Sequence, residues 1–118
     1  MKKRDNKKPD IEFTKSSGNV FADLGLPDAD VLQAKAKLVH QIALAIKKRK
    51  LTQRQAAKIL EIDQPKISAL LHGRLSGFSM DRLIRFLAKL EKDIDIVVKS
   101  RPVGPHRAGL IAVHARPR

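Results

Sequence analysis

The feature that most constrains this chain is residues 52–73, TQRQAAKILEIDQPKISALLHG. Apolar residues recur there at three- and four-residue spacing on both sides of Glu61-Ile62-Asp63. This spacing favours two short amphipathic helices joined by a tight turn. Thr52 followed by Gln55 forms the capping-box pattern of a helix start, and Gly73 is typical of a helix end. The stretch therefore predicts two packed helices with defined ends.

The second predicted helix carries polar residues between its apolar positions Ile67 and Leu70. Glutamine pairs with adenine, lysine donates to guanine, and an alanine methyl group fits against the methyl group of thymine. This layout is typical of a helix-turn-helix, whose second helix enters the major groove of DNA. We expect base contacts from Gln64, Lys66, Ser68 and Ala69. An ordinary helical hairpin in a small bundle remains the structural alternative.

Other polar and basic residues surround the two helices and favour contact with the DNA backbone. Side chains of these types and helix N-termini both bind phosphate oxygens. We expect phosphate contacts from Gln53, Arg54, Lys58, His72 and Arg74. The basic run at residues 47–50 is either a further phosphate clamp or a solvated helix end that complements the helix dipole.

The formal net charge of +13 is unevenly distributed. Residues 1–8 contribute +4 and residues 99–118 contribute +5, so the middle of the chain is only mildly basic. Basic ends attract nucleic acid without regard to sequence. They are equally compatible with solubilising tails, and a non-specific nucleic-acid binder acting through its basic tails remains an alternative function.

The remaining periodicity predicts a mainly α fold. A helix is expected over residues 28–50, another after the N-cap Ser79, and a short one between Asn19 and Gly25. With aromatic residues at only 3%, we expect an aliphatic core. Predicted core positions are Leu38, Val39, Ile42, Ala45, Ile46, Ala56, Ile59, Leu60, Ile62, Ile67, Leu70, Leu71, Met80, Leu83, Ile84, Leu87 and Leu90.

Residues 94–98 change to a two-residue period, in which Ile94, Ile96 and Val98 alternate with other residues. This alternation predicts one C-terminal β-strand. A single strand is not stable alone, and the sequence offers no second candidate of comparable strength. We therefore expect the strand to pair with its copy across a homodimer. The predicted organisation is a disordered basic segment at 1–17, a compact helix-turn-helix domain at 18–100, and a disordered basic tail at 101–118.

Several classes of function lack a sequence signature. The chain has no cysteine, and its histidines lack metal-ligand spacing, so we expect no metal site. No catalytic constellation or nucleotide-binding motif is present, so we expect neither an enzyme nor a cofactor. With no signal peptide and no long apolar run, we expect a cytoplasmic protein that does not enter a membrane.

Residues 51–73 resemble the helix-turn-helix of the XRE (Cro/CI repressor-like) regulators in the Thr-Gln start, the central Ala, the Ile-Ser pair and the closing Gly. The longer span of residues 19–100 resembles the compact XRE proteins known as HigA-type antitoxins. The resemblance implies a dimeric repressor that binds double-stranded operator DNA in its own promoter. It also implies that the protein neutralises a small RNA-cleaving toxin of the RelE-like class. A stand-alone XRE regulator without a toxin is the alternative.

Carried over by position, the family's base-reading roles fall on Gln64, Lys66 and Ala69, with Ser68 as a further contact, and phosphate roles fall on Gln53 and His72. The chain departs from the family at Glu61 and Lys50, where glycine is common. We expect these departures to alter the local turns. Pro65 replaces a residue that is often polar, so base hydrogen bonding from that position is lost.

Overall fold

The computed structural model describes residues 28–100, 102 and 109–116. In this part of the chain the fold consists of four helices: α1 (Ala29–Lys48), α2 (Gln53–Leu60), α3 (Gln64–Leu71) and α4 (Met80–Lys89). The sequence predicted all four. The short helix expected at residues 19–25 and the segment at 1–17 lie outside the described residues. None of the described helices combines the length and hydropathy required to cross a bilayer.

The four helices share one apolar core. α1 packs mainly against α4, while α2 packs mainly against α3. The predicted inner face of α1 is buried as expected, and its central residue Ile42 has no solvent exposure. The largest fully buried side chains come from all four helices or their ends: Ile42, Leu60, Ile67, Leu70, Leu83 and Leu90. This shared core fixes α2 and α3 against the rest of the domain.

The composition predicted an aliphatic core, but the core also contains aromatic side chains. Phe78 and Phe86 are buried, and their rings pack edge to face with centroids 6.0 Å apart. The guanidinium of Arg82 lies over both rings, 5.2 Å from the centroid of Phe78 and 5.4 Å from that of Phe86. Edge-to-face packing and cation–π contacts both add to the energy of apolar burial. This cluster holds the loop between α3 and α4 against α4.

Residues 92–100 have no regular secondary structure, so the strand predicted at 94–98 is not formed within the single chain. Ile94 is half-buried against the core, whereas Ile96 and Val98 are exposed. Residues 109–116 are also irregular. They lie against α1, where the amide of Ile111 donates to a carboxylate oxygen of Asp30 at 2.9 Å and Val113 packs partly on the core.

Candidate nucleic-acid interface

The first helix of the predicted motif, α2, begins with a complete capping box. The amide of Gln55 donates to the hydroxyl of Thr52 at 3.0 Å, and the amide of Thr52 donates to the side-chain oxygen of Gln55 at 2.8 Å. These bonds satisfy backbone groups that a helix start otherwise leaves unpaired. They hold the N-terminus of α2, with half-buried Gln53 and exposed Arg54, in a defined position at the surface.

The turn between α2 and α3 closes with Glu61 in a left-handed conformation at φ 60°. The amide of Glu61 donates to the carbonyl of Lys58 at 3.3 Å, and the amide of Ile62 donates to the carbonyl of Ala57 at 3.0 Å. This is the Schellman pattern, which usually places glycine at the left-handed position. Glu61 therefore keeps the turn that glycine would form.

The same pattern joins α1 to α2 at Lys50, whose φ is 56°. Its amide donates to the carbonyl of Lys47 at 3.0 Å, and the amide of Leu51 donates to the carbonyl of Ile46 at 3.0 Å. We expected the non-glycine residues to alter these two turns. Both turns keep the Schellman hydrogen bonds, so the expectation is wrong for the hydrogen-bond pattern of the turns. What changes is the conformational energy, because left-handed backbone is unfavourable for residues that carry a Cβ.

α3 buries one face and presents the other. Its buried residues Ile67 and Leu70 have no exposure to solvent. At about 100° per residue, helical geometry places Pro65, Ser68, Ala69 and His72 on the outer side, with Gln64 and Lys66 on its two flanks. Gln64, Pro65, Lys66 and His72 are exposed, and Ser68 and Ala69 are half-buried. All four residues predicted to read bases thus lie on α3 outside its buried stripe.

His72 forms a contact that the sequence analysis did not identify. Its Nδ1 lies 2.7 Å from the backbone carbonyl oxygen of Ser68. Because a carbonyl only accepts, Nδ1 must carry a proton and donate. The neutral ring then offers only an acceptor at Nε2, so His72 can donate to a phosphate only when the imidazole is protonated. One feature of the sequence could have predicted this contact. His72 follows Ser68 by one helical turn, at a helix end where side chains reach free carbonyls.

Gly73 closes α3 with the same pattern, at φ 83°. Its amide donates to the carbonyl of Leu70 at 3.0 Å, and the amide of Arg74 donates to the carbonyl of Ala69 at 3.0 Å. The chain therefore reverses sharply, and exposed Arg74 lies directly beyond the end of α3. The ordered turn fixes the backbone from which this predicted phosphate-binding side chain extends.

The basic side chains of the motif pair with none of the described acidic residues. Arg54, Lys58, Lys66 and Arg74 are exposed, and within the described residues none of them forms an ion pair. Two basic residues of α4 differ. Arg85 pairs with Asp81 at 3.1 Å, and Lys89 pairs with Glu61 at 3.5 Å. Within the described residues, the exposed cations of α2, α3 and the turn after α3 outnumber the acidic residues Glu61 and Asp63 in the turn between the two helices, which favours a polyanion.

Comparison with known proteins agrees with this geometry. Residues 20–99 match a protein-family profile described as "Helix-turn-helix domain". The comparison with curated proteins found no match. Among solved structures, one named "Putative XRE Family Transcriptional Regulator" is 38% identical, with a TM-score of 0.66, and the match covers 75% of this chain and 100% of that one. The chain belongs to the XRE family of helix-turn-helix proteins.

Proposed function

We propose that this protein is a dimeric transcriptional repressor that binds operator DNA with α3 in the major groove. The observation that carries the proposal is the surface of α3. Gln64, Lys66 and His72 are exposed on it, while its inner side is locked into the core through Ile67 and Leu70. A rigid helix with exposed polar side chains, flanked by cations that no described acidic residue neutralises, suits base recognition.

The residues divide into two roles. Gln64, Lys66, Ser68 and Ala69 contact base edges, because α3 presents them outside its buried stripe. A second group contacts phosphates and sets the orientation of α3 without reading sequence. This group comprises Gln53, Arg54, Lys58, His72 and Arg74, which lie on α2 or at the C-terminal end of α3.

The dimer rests on residues 94–98. Ile96 and Val98 are 77% and 92% exposed, which is unusual for large aliphatic side chains at two alternate positions of one short segment. An extended apolar segment with unpaired backbone favours pairing with another strand. In the proposed dimer, residues Ile94, Ile96 and Val98 of the two copies form adjacent strands. The two copies of α3 then contact half-sites about one helical turn of DNA apart.

The test measures binding to duplex DNA from upstream of the protein's own gene and to a shuffled duplex. The ratio of the two affinities gives the discrimination. Substituting Gln64→Ala or Lys66→Ala removes a base contact worth about 1–3 kcal/mol, so each should reduce discrimination by roughly 5- to 150-fold.

Matched control residues lie outside the helix-turn-helix motif. Lys37 and Gln41 line a groove between α1 and residues 113–115. The variants Lys37→Ala and Gln41→Ala remove the same side-chain types, and they should leave discrimination unchanged. Unaltered discrimination in the α3 variants, or equal losses in the controls, would contradict the assignment of α3 as the reading helix.

The proposal extends to the neutralisation of a toxin. Its support is the resemblance of residues 19–100 to HigA-type antitoxins. In this role the protein would bind a small RNA-cleaving protein of the RelE-like class and repress the operon that encodes both. A stand-alone regulator would have the same DNA-binding surface without such a partner.

Co-expression with the product of the neighbouring gene separates these two possibilities. For an antitoxin, the neighbour alone stops growth and the full chain restores it. The double variant Gln64→Ala/Lys66→Ala should lose operator discrimination and still restore growth. A neighbour that is harmless alone would favour the stand-alone regulator, and an equal loss of both activities would refute the division of roles.

A further inference from the structure

The exposed aliphatic surface of the described residues is concentrated in two short segments. Apart from Leu44, at 45% exposure, the large hydrophobic side chains exposed to solvent lie at positions 96–98 and 110–111. Their exposed fractions are 77% for Ile96, 71% for Val97, 92% for Val98, 73% for Leu110 and 50% for Ile111. Scattered exposed aliphatic residues are ordinary, but two contiguous groups indicate surfaces that bind another molecule.

The two segments have the same construction. Each lacks regular secondary structure, is rich in residues favourable to β-strands, and is anchored by one half-buried residue on the common core. The anchors are Ile94 in the first segment and Val113 in the second. No backbone hydrogen bond joins the two segments within the described residues, where the amide of Ile111 instead donates to the side chain of Asp30.

We propose that residues 110–113 form a second strand of the dimer interface. In this arrangement residues 94–98 of one copy pair antiparallel with residues 110–113 of the other copy. The inference rests on the dimer of the proposed function and adds an element to it. The partner that covers each exposed segment is a second copy of this chain.

The positions of the anchors define the register. Side chains directly opposite in an antiparallel pair lie on the same face of the sheet. Placing Ile94 opposite Val113 puts both half-buried residues on the face directed at the helices. Ile96 then lies opposite Ile111, and Val97 lies opposite Leu110.

The number of strands favours an interface shared by two copies. A two-stranded hairpin is marginally stable in water, whereas three or more strands with an apolar face are stable. Two copies contribute four strands, with the 94–98 strands adjacent at the two-fold axis and the 110–113 strands outside them. Exchange of identical elements between copies is a low-cost route to a dimer.

The first experiment measures the dimer dissociation constant of the full chain by sedimentation equilibrium without DNA. The variant Ile111→Asp places a charge in the proposed second strand, and Ile96→Asp does so in the first. Each should weaken dimerisation at least about tenfold, because an unpaired carboxylate is costly to bury. Ser100→Asp adds the same charge at an exposed position outside both strands, and it should have little effect.

The second experiment uses disulfide formation, for which the chain provides a clean background because it has no cysteine. Equal amounts of the single variants Val97→Cys and Leu110→Cys are mixed, oxidised and analysed by mass spectrometry. We expect a mixed disulfide that joins the two variants. Mixing Val97→Cys with Arg116→Cys serves as the out-of-register control and should give far less product.

The outcomes separate this inference from the proposed function. If Ile96→Asp abolishes the dimer and Ile111→Asp does not, the second strand is refuted while the proposed dimer stands. A disulfide that forms only within the chain of the double variant Val97→Cys/Leu110→Cys would refute pairing between copies. A full chain that stays monomeric at all concentrations would overturn both the inference and the proposed dimer.

Discussion

Glu61, Lys50 and Glu91 hold left-handed backbone conformations that glycine adopts more readily. Their φ angles are 60°, 56° and 67°. Each residue closes the end of a helix through the same pair of backbone hydrogen bonds, and of the four described helices α3 alone uses glycine, at Gly73. The Cβ of a non-glycine residue is crowded in this conformation. The domain therefore has stability to gain at three helix ends.

The variant Glu61→Gly should raise the free energy of unfolding by up to about 1 kcal/mol, because relief of left-handed strain exceeds the added backbone entropy of glycine. The lost ion pair with Lys89 is exposed and contributes little. Urea denaturation measures the change. The control Glu61→Ala removes the ion pair and retains the strain, so it should give no gain. A stability of Glu61→Gly at or below that of Glu61→Ala would contradict the account.

At the scale of the element, we expect the capping box of α2 to contribute to both stability and DNA contact. Thr52→Ala should lower the free energy of unfolding by about 1 kcal/mol. It should also weaken DNA binding at temperatures where the domain remains folded, because the start of α2 carries Gln53 and Arg54. Ser79→Ala removes the hydroxyl that caps α4 at 3.2 Å from the amide of Arg82. This control should lose similar stability and retain DNA affinity; equal losses of affinity would argue against a phosphate contact at α2.

The helices were predictable because their signals are local. Thr52 and Ser79 act as the N-caps that the sequence indicated, and the periodic residues of α1 are buried as expected. Phe78 was missed because it lies in a loop, where periodicity gives no information. The contact between Ile111 and Asp30 was missed because it joins residues distant in sequence and has no local signature.

The candidate site was predictable to a similar degree. The polar pattern of α3 correctly indicated that Gln64 and Lys66 are exposed. The pattern did not reveal that Ser68 and Ala69 are half-buried, since that depends on how neighbouring elements cover the helix. It also did not reveal that a glutamate could take the place of glycine in the turn. The roles of these residues toward DNA remain predictions.

At the scale of the whole molecule, the charge of the chain ends should affect affinity and leave specificity intact. Replacing the lysines and arginines of residues 1–17 and 101–118 with glutamine removes counterion release at those positions. The slope of log affinity against log salt should become shallower, while the ratio of operator to shuffled-DNA affinity stays the same. Complete loss of binding would instead identify a non-specific binder that acts through its tails.

The central claim is that α3 reads a DNA sequence as part of a symmetric dimer. Selection from random duplex DNA by the purified full chain, at physiological salt with excess competitor DNA, tests it most directly. The account predicts enrichment of a two-fold symmetric sequence, with half-sites whose centres lie about one helical turn apart. Enrichment of no sequence, or loss of all binding in the presence of competitor, would contradict it.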